Sequence, residues 1–177
     1  MGRFAGMASA LVVAAFAGIA SIAPAATDEG AQPFPRASLH VAGQEQRGRL
    51  LETSFTQPAN EDLCVTQGGI GDGRFPRALE VAPDRQRLRF KVNAENRPDS
   101  SLRYWTELDE NRQPVGEATA VPIEVRERKP NGDWVLVAKL DVSERHFLQL
   151  NAFWKGSGRC RANEFLLTRF AVRAGSP

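Results

Sequence analysis

Histidine and cysteine are scarce, two of each in 177 residues. His40 and His146 stand far apart, and neither has a second histidine or a cysteine at ligand spacing, which excludes the usual zinc arrangements. No Gly-x-Ser-x-Gly turn or phosphate-binding glycine loop leading into a helix is present. Catalytic and metal residues are therefore assigned to none, and no cofactor is expected. Charge of one sign is lacking as well: 23 Lys and Arg face 21 Asp and Glu, a formal net charge of +2. A dedicated nucleic-acid binder draws most of its affinity from a large basic excess, so nucleic acid is excluded as a partner. Beyond the first 36 residues no segment sustains a helical period, which argues against a helical domain.

The start of the chain does carry a pattern. Met1-Gly2-Arg3 is a short positive segment, Phe4 to Ile22 is uncharged and apolar, and Ala23-Pro24-Ala25-Ala26 supplies small residues before polar Thr27-Asp28-Glu29. Residues 1–26 read as a secretory signal peptide, the alternative being an uncleaved membrane anchor. Membrane contact is expected only in the second case. Residues 27–36 read as a flexible lead-in, and 37–175 as one domain, a size that buries a core without metal support.

Export places the domain in an oxidising compartment, where an even number of cysteines implies a bridge. Cys64 and Cys160 are expected to form one disulfide. It would close a loop of about 97 residues, for which chain entropy gives at most ~4.7 kcal/mol.

Strand patterns dominate the rest. Arg87-Leu88-Arg89-Phe90-Lys91-Val92 alternates charge and apolar group without interruption, the period of a strand with one wet face. Leu88, Phe90 and Val92 should face a core. Val121 to Arg128 and Trp134 to Val142 flank Asn131-Gly132, which tolerates positive φ, so they read as a hairpin. Val135 and Val137 make the second of those strands apolar on both faces, as in a central strand. His146 to Trp154 and Glu164 to Arg173 follow, separated by Gly156-Ser157-Gly158. Fainter strands lie at 38–42, 49–55, 63–67, 78–82 and 102–108. Roughly nine short strands predict an all-β fold, a single antiparallel sandwich of immunoglobulin-like or jelly-roll-like architecture, with no family assigned.

Three features bear on function. Tyr104 and Trp105 are adjacent on a strand, so their rings point to opposite faces, and the outward one is a candidate for stacking on a sugar or anchoring a protein. Arg87, Arg89 and Lys91 line one strand face and could attract an anionic ligand, with Lys155, Arg159, Arg161, Arg169 and Arg173 as a second basic group. Gly69, Gly71, Asp72 and Gly73 form a glycine-rich stretch that reads as a mobile surface loop. Asp72 with Glu61 and Asp62 is a weak candidate for a hard cation. The expected function is an exported, non-catalytic binding or interaction domain, secreted, periplasmic or at the cell surface, taking a protein, glycan or anionic polymer. Alternatives are a small secreted hydrolase using His40 or His146, or a structural subunit of an envelope assembly.

Overall fold

The computed structural model describes residues 34–156 and 159–175. The leader at 1–26 and residues 27–33 of the lead-in lie outside the described residues. The fold is all-β, with no helix among the described residues. Two sheets face each other. The five-stranded sheet has the order β2 (Gln44–Arg47), β1 (Ala37–Val41), β6 (Arg85–Val92), β10 (Trp134–Asp141), β9 (Ile123–Arg128). The seven-stranded sheet runs β4 (Cys64–Ile70), β3 (Arg49–Pro58), β12 (Asn163–Ala174), β11 (Arg145–Lys155), β7 (Asp99–Trp105), β8 (Thr119–Val121), and β5 (Leu79–Val81) joins β12.

Side-chain alternation explains the layering. On β6, Leu88, Phe90 and Val92 are fully buried while Arg87 and Arg89 are exposed. Leu148, Leu150 and Ala152 on β11 and Leu166, Phe170 and Val172 on β12 bury the opposing face. Phe90 and Phe170 meet edge-on across the sandwich, 5.3 Å between centroids, an arrangement favoured by the ring quadrupole. β10 lies between β6 and β9, as its doubly apolar pattern predicts. The β9–β10 hairpin turns at Gly132, φ +90°, and carries a bulge between Val135 and Leu136.

Twelve strands are present against the roughly nine expected, and two of the additional ones have a physical reason. Val121 to Arg128 is not one strand: Pro122 has no N–H for a ladder, and there the chain leaves β8 in one sheet and enters β9 in the other. β2 carries no large apolar residue, so alternation does not reveal it. Its hairpin with β1 turns at Ala42 and Gly43, both with positive φ, in place of the Asn-Gly or Asp-Gly pair that marks such turns. Gly48 lies at another crossing between sheets, from β2 to β3, where an added Cβ would sit 2.0 Å from the Thr168 methyl. The β5–β12 pairing is parallel, a departure from an all-antiparallel reading. The lead-in is packed where it is described: Phe34 meets Phe55 edge-on at 4.9 Å, and the Arg36 N–H donates to Asn93 Oδ1.

Cys64 and Cys160 are bonded, with Cα atoms 5.7 Å apart and a sequence separation of 96. The bridge ties the first residue of edge strand β4 to the turn between β11 and β12. It holds a hairpin whose outer strand, among the described residues, pairs with β3 alone.

Candidate functional site

The outer face of the five-stranded sheet is built by β6 and its neighbours. The alternation that sends Leu88 and Phe90 inward sends Arg87, Arg89 and Lys91 outward. Register places Arg89 between His40 of β1 and Val137 of β10, and Lys91 between Ser38 and Val135. Arg87 stands directly opposite Lys139. Val135 and Val137 are 2% and 7% exposed, although they face away from the core. The long stems of the surrounding cations cover them while the charged heads stay wet. Arg87, Arg89, Arg126 and Glu127 enclose a shallow hollow of about 320 Å³ over these valines. A second, of about 240 Å³, lies between His40, Arg89, Lys91 and Val135.

Acidic groups occur at the rim and are engaged there. Glu124 meets Arg126 at 2.6 Å and Glu127 meets Lys129 at 2.5 Å. Among the described residues, Arg87, Arg89, Lys91 and Lys139 make no ion pair. Their field is felt by His40, whose pKa is held below 6.5 first by burial and next by Lys91, with Arg89 adding to the effect and Glu45 opposing it.

Each histidine has close polar neighbours. Ser38 Oγ lies 3.0 Å from His40 Nε2, and Glu45 Oε1 lies 3.4 Å from the same nitrogen. A nucleophile–base–carboxylate relay needs hydroxyl and carboxylate on opposite ring nitrogens, so these three do not form one. His146 is buried, its Nδ1 3.2 Å from the Glu144 carbonyl and its ring against Tyr104.

The Tyr104–Trp105 pair belongs to the other sheet. Tyr104 packs on the core, and Trp105 is the outward ring. Trp105 is not an open platform. Phe75 packs beside it, 6.5 Å between centroids, and the Arg103 guanidinium lies 5.2 Å from its centre. Phe75 belongs to the chain leaving β4, which lies as a strap over this sheet. Its ring also meets Phe147 at 5.1 Å and takes the Arg169 guanidinium at 4.6 Å. Arg169 donates to the Gly73 carbonyl and is 7% exposed.

The strap corrects the mobile-loop reading of the glycine-rich stretch. Gly69 is within β4. Gly71 passes so close to β3 that an added Cβ would sit 1.7 Å from the Leu50 carbonyl oxygen. Gly73 has φ +66° and its carbonyl receives Arg169. Asp72 accepts the Arg74 N–H at 3.1 Å and faces Arg49 at 3.8 Å. Glu61 and Asp62 lie at the opposite end of β4, so the three carboxylates do not converge. No group of three potential metal-ligating residues occurs among the described residues.

The second basic group does not join the first. Arg169 and Arg173 are on β12 in the other sheet, Arg169 under the strap and Arg173 paired with Glu80.

Two buried polar residues escape sequence reading. Gln46 presents its amide to the edge of β12: Oε1 accepts the Ala171 N–H at 3.0 Å, and Nε2 donates to the Arg77 carbonyl at 2.6 Å. It stands in for a strand between the start of β3 and the start of β5. Glu164 is 3% exposed and accepts from Trp154 Nε1 at 2.6 Å and from the Thr56 N–H at 3.0 Å. Its signal was available, because a β11–β12 hairpin puts Trp154 opposite Glu164.

Among the described residues no helix is long and apolar enough to cross a membrane. No family model, curated protein or solved structure matches the chain.

Proposed function

We propose that the chain is an exported, non-catalytic binding domain that holds an anionic polymer on the outer face of its five-stranded sheet. One observation carries this reading. Arg87 lies directly opposite Lys139, with Arg89 and Lys91 alongside, and none of the four makes an ion pair among the described residues, although the Glu127 carboxylate feels the charge of Arg89. Like charges directly opposed across strands destabilise a sheet by roughly 0.2–1 kcal/mol per pair. Folding gains nothing from such an array, whereas a polyanion relieves the repulsion and releases its own counterions. The cations on β6 repeat about every 6.8 Å, two residues of extended chain. That spacing suits a ligand with regularly placed charges better than a single small anion.

Support for export comes from the leader-like start at 1–26 and from the Cys64–Cys160 bridge, since such bridges persist in oxidising compartments. Secreted, periplasmic and cell-surface locations all satisfy both. The sandwich is read as immunoglobulin-like or jelly-roll-like, supported by two facing antiparallel sheets. The ligand is read as a glycan or other anionic polymer of the cell exterior, with an acidic protein as the second candidate and no nucleic acid.

The test is titration of the folded domain with labelled dextran sulfate and with poly-glutamate over a range of salt. Binding should weaken as salt rises, and Arg89→Ser should reduce the log–log salt slope by about 1. Binding unchanged by Arg89→Ser, or no binding to either polymer at low salt, would reject the reading.

A further inference from the structure

The strands that end the sheets are protected unequally. β9 closes one side of the five-stranded sheet with Ile123-Glu124-Val125-Arg126-Glu127-Arg128, mostly charged, and a bulge disrupts its pairing with β10. β2 is four residues long and includes Glu45 and Arg47, and β8 is three. Charge, bulges and brevity are the devices that keep edges from pairing with other chains. β4 has none of them. Cys64-Val65-Thr66-Gln67-Gly68-Gly69-Ile70 is seven residues without a charge or a proline, and its register with β3 runs without a shift. Among the described residues its far side takes no strand.

A second observation points to the same place. The exposed large hydrophobic residues Leu63 (52%), Val65 (37%) and Ile70 (86%) lie on or next to β4. Phe34, 52% exposed, stands beside it, its Cε1 3.9 Å from the Cβ position of Gly69. Apolar groups gathered on an open edge mark an interaction surface.

We propose that β4 pairs with β4 of a second copy, antiparallel about a two-fold axis at Gln67, continuing the seven-stranded sheet across a dimer. The sequence of the strand is self-complementary in this register. Val65 falls opposite the partner's Gly69, beside the partner's Phe34, and Thr66 falls opposite the partner's Gly68. Ile70 falls opposite the partner's Cys64. Gln67 meets its own copy on the axis; in the other pairs each larger side chain meets a small one, and no charged residues are paired within the strand. An isologous contact of this kind closes on itself and leaves no free β4 edge for further growth. The cystine at Cys64 fixes the start of the strand and lowers the entropy lost on pairing. A seven-residue strand is about 23 Å long, and a single edge of that length buries less area than the roughly 800 Å² per partner of a standard interface. The dimer should accordingly dissociate on dilution.

Sedimentation velocity over a wide concentration range tests this. Wild type should pass from monomer to dimer as concentration rises. Val65→Lys combined with Ile70→Lys should stay monomeric with an unchanged circular dichroism spectrum, and Val125→Lys on the β9 edge should dimerise as wild type does. Hydrogen exchange of wild type gives a readout independent of any variant: β4 amides should gain protection with concentration while β9 amides do not. A wild type that remains monomeric to its solubility limit overturns the proposal. So does a dimer indifferent to the two lysines, or one without concentration-dependent protection in β4.

Discussion

The outer faces of the two sheets carry the same arginine chemistry under different cover. On the seven-stranded sheet Arg169 lies beneath the strap, bound to the Gly73 carbonyl and stacked on Phe75. On the five-stranded sheet Arg89 stands among other cations with no strap above it and no ion pair. Arg169 is held by contacts that folding itself makes and whose loss would leave buried polar groups unpartnered. Arg89 sits among like charges, and removing it should cost the fold little, relief of repulsion offsetting the lost stem cover over Val135 and Val137. On the proposed reading, covered charge serves stability and uncovered charge serves binding, a division that perturbation can break.

The largest expected effect is on the covered face. Phe75→Ala should destabilise the domain by about 3–5 kcal/mol, the usual range for a buried Phe truncated to Ala, measured by urea unfolding. The same variant should bind dextran sulfate as wild type does. A Phe75→Ala protein of wild-type stability would mean that the strap is not part of the fold. Next in size is the bridge: Cys64→Ser with Cys160→Ser should lower stability by about 2–4 kcal/mol, again by urea unfolding, with polyanion affinity retained.

A smaller effect concerns His146. Burial holds its pKa below 6.5, with the Glu144 carbonyl and carboxylate opposing the shift. The imidazole is neutral in the fold, so its contribution is fully present above 6.5 and is lost as pH falls from there toward the folded-state value. Unfolding free energy should decline over that interval, and His146→Gln should flatten the decline. His40 is shifted in the same direction and would account for any slope left in that variant. The smallest stability effect is on the uncovered face. Arg89→Ser should change stability by no more than about 0.5 kcal/mol, or raise it slightly through relief of repulsion, while its polyanion binding falls.

Legibility of the fold followed the same division. β6, β10 and the β9–β10 hairpin could be read directly, because strict alternation and Asn131-Gly132 are local signals that tertiary packing did not override. The disulfide followed from cysteine number and inferred compartment. β2 could not be read, since its buried residue is Gln46, a polar side chain whose partner Ala171 lies 125 positions away. The break at Pro122 was visible as a proline but not as a change of sheet. The strap was hidden because glycines that allow close packing look, in sequence, like glycines that allow motion. The Cβ position of Gly71 against the Leu50 carbonyl and the Arg169 bond to the Gly73 carbonyl separate the two. As for the candidate site, the outward placement of Arg87, Arg89 and Lys91 was legible from period alone. Lys139 opposite Arg87, and the valine floor between the cations, required the register.

Chemical-shift mapping of the isotopically labelled domain with dextran sulfate tests the division of the two faces most directly. The account predicts dose-dependent shifts at His40, Arg87, Arg89, Lys91 and Val137, with Trp105, Phe147 and Arg169 unmoved. Shifts concentrated on β11, β12 and the strap, with β6 silent, would contradict it.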